Sequence, residues 1–571
     1  MKKTKHNKAV NGIAKNVLTL TSEEALDFFM KSEQFHGFEL PEYFDFDVVL
    51  SYAKEIIGDK EYEDCLTDVR PDDLPNVNLD ILLNKDGRYA VRPLILANPF
   101  LYYFLVRELC CPTGWEAVQQ CFKNYKVPHI FSCALPVIPE KVESFHKSAT
   151  ILNWWNAMEQ HSLELSLEYR YMFVTDITNC YGSINPQSVD WALSCKSTKC
   201  ENNQNHQLAE NVQKYLRALQ HGHNIGIPQG SALFDFVGEI VLGYSDLLLH
   251  EALQKEKING YEIIRYRDDY RVFCNDKDKL ERISYILQSV LESLNLRMNS
   301  QKTKISDSIV TDSIKPDKLF YIYNTPIFNK KGCDFDGIQK HLLYILLFSR
   351  QYPNGGQLRT MLSDLDKRII KKLKPKKRKF KIESLDLDQE LNSIFDKLPT
   401  YEEKEVPGKI CENIRAITAI ATQIALENVT VSHYALRIVS RIVDSLTDMK
   451  EKRDIINKVY NKLCNQPNSE YNQLWLQNIT YTQDKKSKKS PYSMRLCKLV
   501  MGNAEEPLWN NDWLKQVVTK NLPYDSIVNK ETLKKVTPVI MFRETRAYMD
   551  FLDIDDDFVD ALEKIEKGII D

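Results

Sequence analysis

The stretch YEIIRYRDDYRVFCND, residues 261–276, decides the fold. Two runs of β-favouring residues flank Asp268 and Asp269, which predicts a hairpin carrying adjacent carboxylates at its tip. Like charges repel, so the pair needs a reason. An exposed turn supplies one, because Asp is at home in turns. A divalent-cation site supplies another, because hard cations take carboxylate oxygens together with substrate phosphates. The second reading requires a further carboxylate arriving on another element.

That carboxylate is Asp176. The segment YMFVTDITNCYGSI predicts a buried strand over Tyr171–Thr175 with Asp176 at its end. Two strands paired in one sheet bring such oxygens within reach of one another. Three clustered carboxylates are costly without cations. With two Mg²⁺ ions they become a clamp for in-line phosphoryl transfer.

The bulk numbers bound the rest. The chain has 571 residues, more than one ordinary core accommodates. It is 43% hydrophobic and 27% charged, a globular composition. The net charge of −3 advertises no global basic field, so any nucleic-acid surface is local. The 13 cysteines include no C-x-x-C pair, which argues against a structural zinc site. The basic N-terminus is followed by no apolar signal core, and no run of 18 apolar residues occurs, so the expectation is a cytoplasmic protein without a membrane partner.

Thr21, Glu24 and the apolar Ala25, Phe28 and Phe29 predict a capped helix. Residues 88–109 predict a short strand, a loop at Asn98-Pro99 and an aromatic-rich buried helix. GIPQGSAL, from Gly226, predicts a loop opening a long apolar helix. Ile283, Ile286, Leu287, Val290, Leu291 and Leu294 recur at helical spacing. LFYIY, residues 319–323, is expected to be a strand. Beyond Gly337 strand signals disappear and helical patterns follow one another, from IQKHLLYILLFSR to EYNQLWLQNITY. The expectation is an α+β unit over 1–335 and an all-α, repeat-like domain over 336–571. Within the latter, ten of the fifteen residues Lys367–Lys381 are Lys or Arg, either a solvated face or a contact for phosphate backbone. The acidic tail DFLDIDDDFVD lacks the pattern of a calcium loop and reads as a helix start.

Taken in order, DITNCYGSI, GIPQGSAL, YRDD and LNLRMNSQKTKI resemble the successive palm motifs of reverse transcriptases, over residues 171–323. The resemblance implies a right-hand fingers–palm fold. ALDFFMKSEQFHGFELPEYFDF and RPLILANPFLYYFLVREL, with the long helical C-terminal part, are similar to bacterial abortive-infection, defence-associated reverse transcriptases of the unknown group (AbiK-like).

Carried onto this chain, the resemblance makes Asp176, Asp268 and Asp269 the catalytic carboxylates and metal ligands. The backbone carbonyl of Ile177 completes a shell for Mg²⁺ (or Mn²⁺). Tyr181 stands at the position of the gate that excludes a 2′-hydroxyl. Gln229 and Gly230 lie against the incoming nucleotide. Arg92 and Arg88 come from the fingers to grip its triphosphate, and Lys302 is the general acid for pyrophosphate. Arg267 and Cys180 depart from the family pattern.

The implied activity is DNA synthesis from dNTPs by two-metal nucleotidyl transfer in antiphage defence, either RNA-directed or template-independent. A non-coding RNA, a tyrosine of the chain itself as primer, and a homo-oligomer (trimer or hexamer) are partners that the resemblance allows. The alternative from another class is a catalytically silent RNA-binding scaffold built on the palm.

Overall fold

The computed structural model describes residues 15–85, 90–138, 150, 153–194, 203–324, 337–381, 401–406, 410, 412–487, 490–502, 507–519 and 522–542. The acidic tail and Arg88 lie outside them.

The first helix, α1 (Ser22–Phe29), starts as its sequence predicts. Thr21 accepts from the Glu24 backbone, and Glu24 reaches back to the Thr21 N–H. The strands β1 (Leu79–Asn84) and β2 (Val91–Leu96) pair as an antiparallel hairpin. Asn98 then caps α2 (Pro99–Cys110), whose aromatic residues are all buried. These elements form the fingers.

The palm is a five-stranded sheet of β3 (Ile130–Ser132), β4 (Tyr171–Thr175), β5 (Tyr261–Tyr266), β6 (Asp269–Cys274) and β7 (Lys304–Ser306). Its spatial order is β3-β5-β6-β4-β7, with β3 parallel to β5 and every other pair antiparallel. Side chains alternate between its faces. Phe173, Ile263, Tyr270 and Val272 pack into the main core with α3 (Ala232–Lys255) and α4 (Lys277–Ser293). Met172, Ile264 and Phe273 join a second core with Trp154, Met158, Leu165 and Ile309. The sheet is thus covered on both sides, and only its strand ends are free to present chemistry.

One charge cluster lies inside the palm. Arg265 on β5 is fully buried and donates to both oxygens of Asp246 and both of Glu239, at 2.6–3.0 Å. Its Nη1 also reaches the carbonyl of Arg267 at 3.2 Å, which ties the hairpin tip to the sheet.

The expected strand at 319–323 is instead part of α5 (Pro316–Asn324). Proline at the first helical position suits a helix start. Phe320 then packs on Phe348 and Tyr352, and Lys318 is buried against Glu159 at 2.5 Å, contacts that override the aromatic β-preference.

Helices follow: α6 (Ile338–Gln351), α7 (Gln357–Leu373), α8 (Ile414–Glu427), α9 (Ser432–Asp444), α10 (Met449–Cys464) and α11 (Glu470–Ser487). The region is not free of strands. Part of the basic stretch forms β8 (Lys376–Lys381), antiparallel to β9 (Tyr401–Val406), a pairing that sets Lys377 opposite Glu405 and Lys379 opposite Glu403. No apolar alternation in the sequence announces these strands.

The later segments return to the fingers. Trp509 is fully buried and donates to the Leu96 carbonyl at 3.0 Å. Asn511 accepts from Asn98 at 2.7 Å, and Leu514 bridges to Leu66. Among the described residues no helix is long and apolar enough to cross a membrane.

Candidate active site

The register of β4 against β6 builds the site. Thr175 pairs with Tyr270, so the next step along both strands sets Asp176 beside Asp269 on one face. The backbone carries the pairing further, with Ile177 N donating to the Asp268 carbonyl at 3.1 Å. The strand end and the hairpin tip, 92 residues apart in sequence between Asp176 and Asp268, are therefore direct neighbours.

Lys302 is brought in by the loop after α4. Ile177 bridges to Met298, Asn299 N donates to the Asp176 carbonyl at 2.8 Å, and Thr175 and Thr303 hydroxyls meet at 2.7 Å. Lys302 Nζ then lies 2.5 Å from Asp176 Oδ2. The other oxygen, Asp176 Oδ1, is buried without a hydrogen-bond partner.

The electrostatics follow from this crowding. Burial raises the Asp268 carboxyl above its usual range, and the Asp176 charge adds to the rise against the pull of Arg267 and Lys302. Asp269 keeps a solvent-facing side, yet the protein packed around it and the charge of Asp268 push it up to about 6. Lys302 is held above the ordinary lysine value by Asp176, which outweighs its partial desolvation. Among the described residues no three His, Cys, Asp or Glu side chains already stand close enough to enclose an ion. The donor set still suits a hard cation. It consists of carboxylates that repel one another and a buried carboxylate oxygen lacking a partner, with an ammonium on the remaining oxygen.

A cavity of about 430 Å³ lies on the fingers side, lined by Arg92, Leu94, Gln229, Gly230, Asp235 and Arg267 among others. The Gln229 carbonyl accepts from Ile95 N at 2.8 Å, and the Gly230 carbonyl accepts from Gly37 N at 2.5 Å. Gly230 has φ of 130°, and a Cβ there would stand 3.2 Å from the Ile95 carbonyl oxygen, so any other residue would be strained and crowded. Arg92 reaches the cavity from β2, with its Nε buried and unpartnered. Arg88 is not among the described residues.

Tyr181 lies on the turn after β4 and donates from its hydroxyl to Asp235 Oδ1 at 2.7 Å. Arg267 donates to Asp235 Oδ2 at 2.6 Å. Sequence reasoning marked Arg267 only as a departure from the family pattern; in the fold it pairs with Asp235. It also missed Asp235 itself, which nothing but its place one turn into α3 marks. Arg359, Thr430 and Tyr471 of the helical region line the same cavity, and no sequence signal connects them to it.

Residues 116–339 match the family model described as "Reverse transcriptase (RNA-dependent DNA polymerase)". No curated protein matches the chain. Similar solved structures include apo telomerase from Candida tropicalis truncated from its C-terminal domain (12% identity, TM-score 0.28, 46% of this chain and 55% of that chain). Telomerase from Candida albicans in complex with a fragment of telomeric RNA overlaps at 12% identity and TM-score 0.28, over 70% of this chain and 66% of that one. Apo telomerase from Candida tropicalis overlaps at 12% identity and TM-score 0.30, over 73% and 74%. The chain thus spans 55% and 66% of the first two structures' lengths.

Proposed function

We propose, from the reverse transcriptase domain that the chain carries, that it is a DNA polymerase joining dNTPs to a 3′-hydroxyl or to a hydroxyl of the protein itself. The observation that carries the reading is the adjacency of Asp176 to the Asp268–Asp269 tip, with Asp176 Oδ1 buried and unpartnered. Asp176, Asp268, Asp269 and the Ile177 carbonyl are the proposed holders of two Mg²⁺ or Mn²⁺ ions. When bound, the ions would lower the pKa of the attacking hydroxyl and neutralise the leaving pyrophosphate.

The chain's own residues do the rest. Arg92, with Arg88, grips the triphosphate. Gln229 and Gly230 support the nucleotide through close backbone approach. Tyr181 packs under the sugar. Lys302, already held at Asp176, delivers the proton that the pyrophosphate needs on leaving. Its ammonium supplies positive charge to Asp176 Oδ2.

Two modes of synthesis remain distinct, and we favour the untemplated one. The preference rests on the resemblance of the motifs to abortive-infection enzymes; the cavity that holds Gln229 and Gly230 is walled in part by Arg359, Thr430 and Tyr471. We further propose that residues 1–335 form the catalytic unit and 336–571 a helical unit. A role in antiphage defence, a bound RNA, and assembly into trimers or hexamers rest on the resemblance of the motifs to abortive-infection enzymes.

Incubation of the purified chain with labelled dNTPs and Mg²⁺, with and without nuclease treatment, tests the reading. Product lost with Asp268→Ala supports it. Product formed without nucleic acid selects untemplated synthesis, and product that resists phenol extraction until protease is added selects protein priming. No product under any of these conditions sinks the polymerase and leaves the scaffold.

A further inference from the structure

Three side chains from three elements meet at the edge of the cavity, where Asp235 and Arg267 line the wall and Tyr181 joins them through Asp235. Tyr181 follows β4, Asp235 lies one turn into α3, and Arg267 is the first loop residue of the β5–β6 hairpin. Each oxygen of Asp235 has its own donor, the Tyr181 hydroxyl at 2.7 Å and Arg267 Nη2 at 2.6 Å. Gly238, one turn further along α3, makes room for the ring: a Cβ there would stand 3.4 Å from Tyr181 Cε1. The ring is bounded by α3 and tied at its hydroxyl end.

Arg267 holds an unfavourable backbone to make its contact. Its φ is 54°, while Asp268 is not left-handed, and a two-residue hairpin loop of that kind prefers glycine at its first position. Its carbonyl is fixed by Arg265, so the strained turn is braced from the sheet. The ion pair has a second effect. A lone Asp235 carboxylate would put negative charge on a wall of the cavity proposed for a triphosphate, and the guanidinium cancels it.

We propose that Asp235 and Arg267 are positioning residues that set the sugar selectivity of Tyr181, an inference that rests on the polymerase reading and deepens it. A gate rejects a 2′-hydroxyl by contact. Its selectivity is the difference in free energy between two sugars that differ by one atom. A ring free to tilt by a fraction of an ångström accommodates that atom and loses the difference. Anchoring the hydroxyl to a carboxylate that is itself anchored removes this freedom.

The test is kcat/KM for a dNTP and for the matching NTP, measured on the full chain with Mg²⁺. The variants are Tyr181→Phe, Asp235→Ala, Arg267→Met, Arg267→Lys and the double variant Tyr181→Phe/Arg267→Met. Each of the first three should raise the NTP-to-dNTP ratio about tenfold, the worth of one charge-assisted hydrogen bond. The double variant should rise no further than its single parents, because both changes cut one chain of contacts. Arg267→Lys, which keeps the charge, should restore part of the selectivity. Melting temperatures identify any variant that fails to fold, and the conservative Tyr181→Phe and Arg267→Lys then decide.

The inference is overturned if dNTPs are incorporated and the ratio stays at the wild-type value in Asp235→Ala and Arg267→Met. It is equally overturned if the double variant multiplies the two effects. A wild-type chain that incorporates no dNTP instead removes the polymerase reading itself, and this inference with it.

Discussion

Replacing Arg265 by leucine should unfold the palm from within. The guanidinium makes five hydrogen bonds to Glu239 and Asp246 and has no access to water. Its removal leaves two carboxylates inside the main core with no cation. Breaking a buried ion pair from one side costs about 3–5 kcal/mol, a large part of the stability of an ordinary domain. The cost should depend on pH. Burial raises Asp246 to about 6 even with Arg265 in place. Without the arginine, the Asp246 carboxyl rises further and folds protonated. A carboxyl whose folded pKa lies above its unfolded one binds more protons when folded, so stability falls as pH rises through that window. The deficit of Arg265→Leu relative to wild type should therefore be larger at pH 8 than at pH 5. Guanidinium titrations at the two pH values, followed by circular dichroism, read it directly. A deficit under about 1 kcal/mol, or one equal at both pH values, would refute the account of the cluster as an electrostatically held core. The triple change Arg265→Leu with Glu239→Gln and Asp246→Asn should recover part of the loss, since no charge is then stranded.

Other expectations follow from single positions. Gly230→Ala should cost about 1–3 kcal/mol and lower nucleotide affinity, because φ of 130° and a 3.2 Å approach to the Ile95 carbonyl strain and crowd any Cβ; unchanged thermal stability would contradict this. Trp509→Ala should cost about 3–5 kcal/mol and expose the residues after 507 to limited proteolysis, because the buried indole and its bond to Leu96 dock that segment on the fingers. Lys302→Gln should lower kcat about a hundredfold while the protein stays folded, and an unaltered kcat would remove Lys302 from the proton-transfer role. His341 is lowered to about 4, chiefly by burial and then by Arg368. The unfolded chain therefore binds the proton more readily between about pH 4 and 6.5, and His341 costs on the order of 3 kcal/mol of stability as the medium is acidified through that range. His341→Leu should flatten this part of the stability curve, and an unchanged acid limb would dismiss the assignment.

The palm was legible because its signals are local. Runs of β-favouring residues over Tyr261–Cys274 mark two strands, a strongly apolar run marks Tyr171–Thr175, and 3.6-residue spacing marks α4; the structure has all of them. Asp176, Asp268 and Asp269 could be singled out because strand ends and hairpin tips present side chains, and paired strands fix which residues are neighbours. The LFYIY segment misled for the same reason: its composition speaks for a strand, while the helix it forms depends on Phe348, Tyr352 and Glu159.

What the sequence determined by itself is the order of elements and the identity of the acidic groups, since period, turn chemistry and residue type act over a few neighbours. What only tertiary structure decided is company. Asp235 became the partner of Tyr181 and Arg267, and Trp509 returned more than four hundred residues to Leu96. Arg359, Thr430 and Tyr471 came to wall a cavity begun by the fingers. Such contacts are chosen by packing and by charge satisfaction across the whole chain, and no window of a dozen residues contains them.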